Sequence, residues 1–179
     1  EIYQREAFMG LDAGVRRNLE LFETLRGREK RGSLLWVLDH TRTAMGGRCL
    51  RQWMEKPLLN PLTIRRRLLA VDCLCRETLA REELSRALSG MSDLERLIGR
   101  VALGTANARD LRAIAAAAEK LPAVRAVSEG LDSELLRGLT EDIDELRDIR
   151  EAVEAAIVDE PPLGLKDGGL IRPGYDAEA

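Results

Sequence analysis

Apolar residues recur at spacings of three and four along most of the chain, the period of an amphipathic helix. Asp12 stands where it can cap a helix carrying Val15, Leu19, Leu21, Phe22 and Leu25, and Gly27 to Gly32 reads as an exposed basic loop. Ser33 caps a short apolar helix that offers Leu34, Leu35, Val37 and Leu38 to a core. After a polar break at Asp39-His40-Thr41, Thr43 caps a second helix with Met45, Cys49, Leu50, Trp53 and Met54 along one side. Pro57 stops it after Lys56, because proline disfavours α geometry in the residue before it. Asn60-Pro61 starts the next helix, expected to reach about Glu77 and to bury Ile64, Leu68, Val71 and Leu74. A helix over Leu79–Leu88 follows, then a capping box at Ser92-Asp93-Leu94-Glu95 that turns Leu94, Leu97, Ile98 and Val101 inward.

Gly104 ends that helix, and Asn107 caps another with Leu111, Ile114 and a small-residue face at Ala115 to Ala118. Pro122 interrupts it, with Leu121, Val124 and Val127 continuing the apolar side. A short helix is expected from Asp132 or Ser133 through Leu139. A longer one spans Thr140 to Val158 on Ile143, Leu146, Ile149, Val153 and Ile157. Past Pro161-Pro162 the pattern changes: Leu163, Leu165, Leu170 and Ile171 flank Lys166-Asp167-Gly168-Gly169, a hairpin signal. The expected fold is all-α, a multi-helical core with two helical subdomains and at most a short β-hairpin near the C-terminus.

Composition sharpens this picture. Aromatic residues make up only 3% of the chain, which disfavours sheet. The formal charge of −3 hides an asymmetry: Glu1 to Arg76 carries 15 Lys/Arg against 9 Asp/Glu, whereas the remainder carries 13 against 22. The basic half leaves open a nucleic-acid-binding or protein-interaction module. Its triplet Arg65-Arg66-Arg67 fans around a helix, however, and cannot form one stripe. The acidic faces of the last long helix argue against DNA lying along it. Three cysteines, Cys49, Cys73 and Cys75, form neither a disulfide framework nor a zinc pattern, and suit buried reduced thiols in the cytoplasm. No run is long enough for a membrane span.

Candidate chemistry is sparse. His40 is the sole histidine, no GxxxxGK[ST] phosphate loop occurs, and no catalytic, cofactor-binding or metal-binding set emerges, so no enzyme is read in this stretch. The candidates are structural. Gly46 and Gly47 sit in a helix's first turns, where each costs about 1 kcal/mol against alanine; close approach of another backbone is the expected reason. Arg48 is expected to tie the corner to carbonyls or to a carboxylate such as Asp39, and Arg96 and Arg100, four apart on one face, suit an interdomain contact.

Several short motifs, taken together, carry a resemblance. Leu11-Asp12, Arg16-Arg17-Asn18-Leu19-Glu20-Leu21, Leu34-Leu35, Val37-Leu38-Asp39, Thr41, Thr43, Met45-Gly46, Arg48, Leu50, Trp53 and Pro57-Leu58 are the first set. Asp93-Leu94-Glu95-Arg96-Leu97, Arg100, Arg109-Asp110-Leu111 and Asp167-Gly168-Gly169-Leu170-Ile171 complete it. In this order they resemble the core domain of the MutS family of DNA mismatch-recognition proteins; Val15 departs from it, standing where the family often has threonine. The resemblance implies a segment entering from a preceding domain over 1–12, a helical core or lever domain over 13–158, and an extended or hairpin segment over 159–179 leading to a clamp. Asp176-Ala177-Glu178-Ala179 reads as a helix start with nothing after it, and both ends look cut. For the whole protein the resemblance implies mismatched double-stranded DNA as a partner, ATP and Mg as cofactors of the ATPase domain, and a homodimer. For this stretch it implies a transmission role between domains of one chain.

Overall fold

The computed structural model describes residues 7–162, 164 and 168–176. It is helical throughout, as the periods require. Strand pairing among the described residues is confined to two isolated antiparallel bridges, Phe8 with Leu58 and Ile157 with Ile171. The helices are α1 (Ala13–Asn18), α2 (Leu34–Leu38), α3 (Ala44–Glu55), α4 (Pro61–Arg76), α5 (Thr78–Leu88), α6 (Leu94–Ala102), α7 (Ala108–Ala118), α8 (Leu121–Glu129), α9 (Glu134–Glu141) and α10 (Arg147–Ala156).

Helix packing falls into two groups. Helices α4, α5, α8 and α9 close a ring, α4 on α5, α5 on α8, α8 on α9 and α9 on α4. Helix α7 packs between α6 and α10 and meets the ring through α8. Its Ala115, Ala117 and Ala118 are at most 2% exposed. Small side chains there let neighbouring backbones come close, as the alanine run suggested.

The N-terminal part is built by caps and backbone bonds. Asp12 accepts the Val15 amide at 2.7 Å and starts α1, so the threonine hydroxyl replaced by Val15 is not needed for this cap. The helix ends at Asn18, short of the span expected, with Glu20 at φ +49°. The carbonyls of Glu20 and Leu21 take the amides of Leu34 and Leu35, satisfying the first turn of α2 from outside. Ser33 is fully buried, accepts the Trp36 amide and donates to the Lys30 carbonyl. Ahead of α1, Met9 donates to Pro57 and Leu59 to Ala7, so the incoming segment lies extended along the chain after α3. Ile2 and Tyr3, expected in the same segment, lie outside the described residues.

Burial along four helices, and one cap, differ from the expectation. In α2 only Leu35 is buried; Leu34, Val37 and Leu38 are exposed, because five residues present a single side to the body. In α3, Met45, Leu50 and Met54 are half-buried while Cys49 and Trp53 are exposed. In α4 the ring is met by Ala70 and Cys73, with Leu74 partly covered; Ile64, Leu68 and Val71 are exposed, Leu68 by 61%. Burial follows the small residues, in a helix that packs on α5 and α9. In α6, Ile98 and Val101 are likewise exposed, and Asp93, not Ser92, is its cap.

The expected helix from Thr140 to Val158 is broken. Asp144 accepts the Leu146 amide at 2.9 Å, an Asx turn that competes with the helical ladder, and Leu146 enters α10 at φ +51°. Beyond α10, Val158 donates to the Leu170 carbonyl and Arg172 to the Ala156 carbonyl. The pairing therefore joins 156–158 to 170–172; the expected turn residues Lys166 and Asp167, with Leu163 and Leu165, lie outside the described residues, as do Ala177-Glu178-Ala179.

Candidate functional site

The site expected at the start of α3 is organised by two threonines. Thr43 Oγ1 accepts the Gly46 amide at 2.9 Å and caps α3. Asp39, at the end of α2, accepts from Thr41 Oγ1 at 2.7 Å and from Lys30 Nζ at 3.2 Å. These bonds hold the Asp39 carboxyl below the usual carboxylate range, with the threonine hydroxyl the larger cause. Thr41, so oriented, lies over the glycines. A Cβ on Gly46 would stand 3.0 Å from Thr43 Oγ1 and 3.4 Å from Thr41 Cβ, and one on Gly47 would stand 3.4 Å from Thr41 Oγ1. What approaches is a pair of local side chains rather than another backbone, which corrects the reason given for the glycines.

Arg48 does not reach Asp39. Its Nη1 and Nη2 each donate to one oxygen of Asp93 at 2.7 Å, a two-pronged pair, and its Nε donates to Glu95 Oε2 at 2.8 Å. Nη2 also donates to Glu95. The guanidinium thus grips the first turn of α6 from α3. It pulls the Asp93 carboxyl below its ordinary range, and the two carboxylates push the guanidinium's own proton affinity up. Asp93 also caps α6, its Oδ1 accepting the Arg96 amide at 3.3 Å. Two further side chains tie this part of the chain to α5 and α4. Arg42 Nε donates to Ser85 of α5 at 2.7 Å, and Arg67 of α4 lies 3.6 Å from the Trp53 ring centre.

Arg96 and Arg100 part company. The Arg96 side chain has no ion pair among the described residues. Arg100 Nη1 donates to Asp110 Oδ1 at 2.9 Å, crossing from the end of α6 to the start of α7. Asp110, only 8% exposed, also accepts the Asn107 amide, while Asn107 Oδ1 accepts the Asp110 amide. This reciprocal capping box starts α7.

A third cluster lies where α7 meets the chain beyond α10. Arg109 Nε donates to the Pro161 carbonyl at 2.8 Å, and Arg112 pairs with Asp159 at 2.7 Å. Arg172 pairs with the same Asp159 at 2.6 Å and donates to the carbonyls of Glu154 and Ile157, closing the C-terminus of α10. Sequence reasoning missed Asp93, Glu95, Asp110 and Asp159 as partners, because each faces an arginine that is distant along the chain or lies beyond a turn. The Asn-x-x-Asp spacing at Asn107 was the one local signal available.

These groups can hold helices in fixed relation. Among the described residues no three His, Cys, Asp or Glu side chains converge as a metal site, and no helix is long and apolar enough to cross a membrane.

The family model for MutS domain III matches residues 15–179. A DNA mismatch repair protein MutS from Alkaliphilus oremlandii is 50% identical over 177 residues, 99% of this chain and 20% of that protein. Those of Desulforamulus reducens and Ruminiclostridium cellulolyticum are 46% and 45% identical, each over 98% of the chain and 20% of their own length. The chain spans about one fifth of the length of these curated relatives.

Proposed function

The chain belongs to the MutS family as a domain III, and from that membership we propose that it is the transmission core of a mismatch-recognition ATPase. In this reading it links the parts that hold mismatched DNA, the reader and the clamp, to the part that turns over ATP. The observation that carries the proposal is the Arg48 clasp, which joins helices 45 residues apart in sequence through a rigid, two-pronged pair.

ATP and Mg belong, on this reading, to the remaining four fifths of the protein. This chain has no phosphate-loop sequence, and Asp93, Asp110 and Asp159 are each paired with an arginine. The homodimer, mismatched double-stranded DNA and a cytoplasmic location are likewise attributes proposed for the whole protein. Segments 1–12, 13–158 and 159–179 are proposed as the incoming segment, the core and the run toward the clamp. Within the core, Asp39, Thr43, Gly46, Gly47, Arg48, Arg96 and Arg100 are the proposed structural and interdomain residues.

Two measurements test this. The isolated chain is expected to bind no nucleotide by calorimetry and to show no preference for mismatched over paired duplex. In a full-length protein carrying this domain, Arg48→Ala is expected to leave DNA binding and basal ATPase measurable while abolishing the response of one to the other. Unchanged DNA-dependent ATPase in that variant would remove the proposed role.

A further inference from the structure

Two carboxylates in this fold each do two jobs, and the two lie in series. Asp93 caps α6 and is gripped by Arg48 of α3. Asp110 completes the cap of α7 and is gripped by Arg100 of α6. Both helices therefore begin on a carboxylate held by an arginine of an earlier helix. At the far side, Arg109 and Arg112 of α7 hold Pro161 and Asp159, and Arg172 shares Asp159.

We propose that these links form a relay in which Arg48 of α3 sets the stability of the α7 cap and of the segment around Asp159, through Asp93, α6, Arg100 and Asp110. The proposal deepens the transmission reading and rests on it for its purpose, though not for its test.

The physical argument is that a cap and an ion pair sharing one carboxylate cannot be lost independently. When Arg48 lets go, Asp93 and Glu95 gain rotamer freedom, and Asp93 holds the Arg96 amide less of the time. Helix ends fray when their caps weaken. Helix α6 has only nine residues, about 14 Å of rise, so disorder at its start reaches Arg100 within about two turns. Arg100 also donates to the Thr105 carbonyl, and Thr105 Oγ1 donates back to the Arg100 carbonyl, which fixes the α6–α7 turn to the same side chain. Asp110 is nearly buried, so losing Arg100 leaves a carboxylate poorly exposed to water beside the α7 cap. The links differ in exposure: the side chains of Arg48 and Asp93 are 48% and 21% exposed, those of Arg100 and Asp110 38% and 11%. The outer link is therefore the one that solvent, salt or a neighbouring domain can loosen.

The test is amide hydrogen exchange on the 179-residue chain, comparing wild type with Arg48→Ala, Arg48→Lys, Arg100→Ala and the double alanine variant. Arg48→Ala is expected to speed exchange about threefold at residues 94–97 and also at 108–111, the scale of one exposed pair within a network. The double variant should exchange at 108–111 no faster than Arg100→Ala alone, because the relay is already cut there. Arg48→Lys keeps the charge without the fork and should fall between wild type and alanine. The Arg48→Lys arm stands even if an alanine variant fails to fold. Faster exchange confined to 94–97, or additive effects at 108–111, would overturn the relay. A positive result here beside unaltered DNA-dependent ATPase in the full-length protein would leave the relay standing and remove the transmission reading.

Discussion

Gly46 sits under Thr43 Oγ1, where an added β-carbon would stand at a tight 3.0 Å, and the hydroxyl can give little because it caps α3. Gly46→Val should therefore displace both threonines and cost about 1–3 kcal/mol by overpacking, read as a lower urea midpoint at unchanged slope. Gly47 meets only Thr41 Oγ1, at ordinary van der Waals range, so Gly47→Ala should hold or raise the midpoint as alanine's helix propensity, worth about 1 kcal/mol, outweighs the contact. Asp93 supplies a pH prediction. Its carboxyl is lower in the folded chain than when unfolded, so its contribution is present above the unfolded value and is lost as pH falls through the folded one. The midpoint of wild type should drop on acidification below about pH 4. Asp93→Asn should flatten part of that drop, and Asp39 accounts for another part with the same sign.

Helix starts are where elements of this chain are decided. Asp110 serves the α7 capping box and the Arg100 pair at once, so Asp110→Ala leaves two donors without their acceptor in a nearly buried place. It should cost about 1–3 kcal/mol, measured by urea unfolding, and should lower protection of the first α7 turn most. Apolar periodicity located α3 through α8 within a few residues, and Thr43, Asn60 and Asn107 act as the caps their types suggest. It failed between α9 and α10, where the run Ile143, Leu146, Ile149 keeps helical spacing across a break. The Asp144 side chain supplies a competing bond there that no apolar count registers.

For the molecule as a whole, two groups of helices share one alanine-rich seam. Ala118→Leu would force α7 away from its neighbours and should destabilise by about 1–3 kcal/mol, whereas Leu68→Ser, on an exposed face, should fall within about 0.5 kcal/mol of wild type. Thermal or urea unfolding of the pair distinguishes the seam from the large apolar residues as the centre of this structure. The same contrast explains why the core was misread along α4. Ile64, Leu68 and Val71 carry the greater hydrophobicity, yet the ring closes on Ala70 and Cys73, because helix approach is limited by side-chain size as well as by apolar character.

The linear pattern shows that the chain is helical, where most helices begin, that the glycines of α3 need an explanation, and which family it resembles. These are readable because caps, breaks and periods act over three or four residues, a range that a linear pattern records. Which arginine meets which carboxylate is set by packing in three dimensions. Arg48 had Asp39 nearby in sequence and bonds Asp93 and Glu95 instead, because the fold brings the first turn of α6 within reach of its guanidinium. Arg96 and Arg100 share a period, yet only Arg100 lies within reach of the α7 cap, since the turn after α6 brings Asp110 back to that end of the helix. Charge pairing is set by distance in space, and nothing in the local spacing of these residues encodes it.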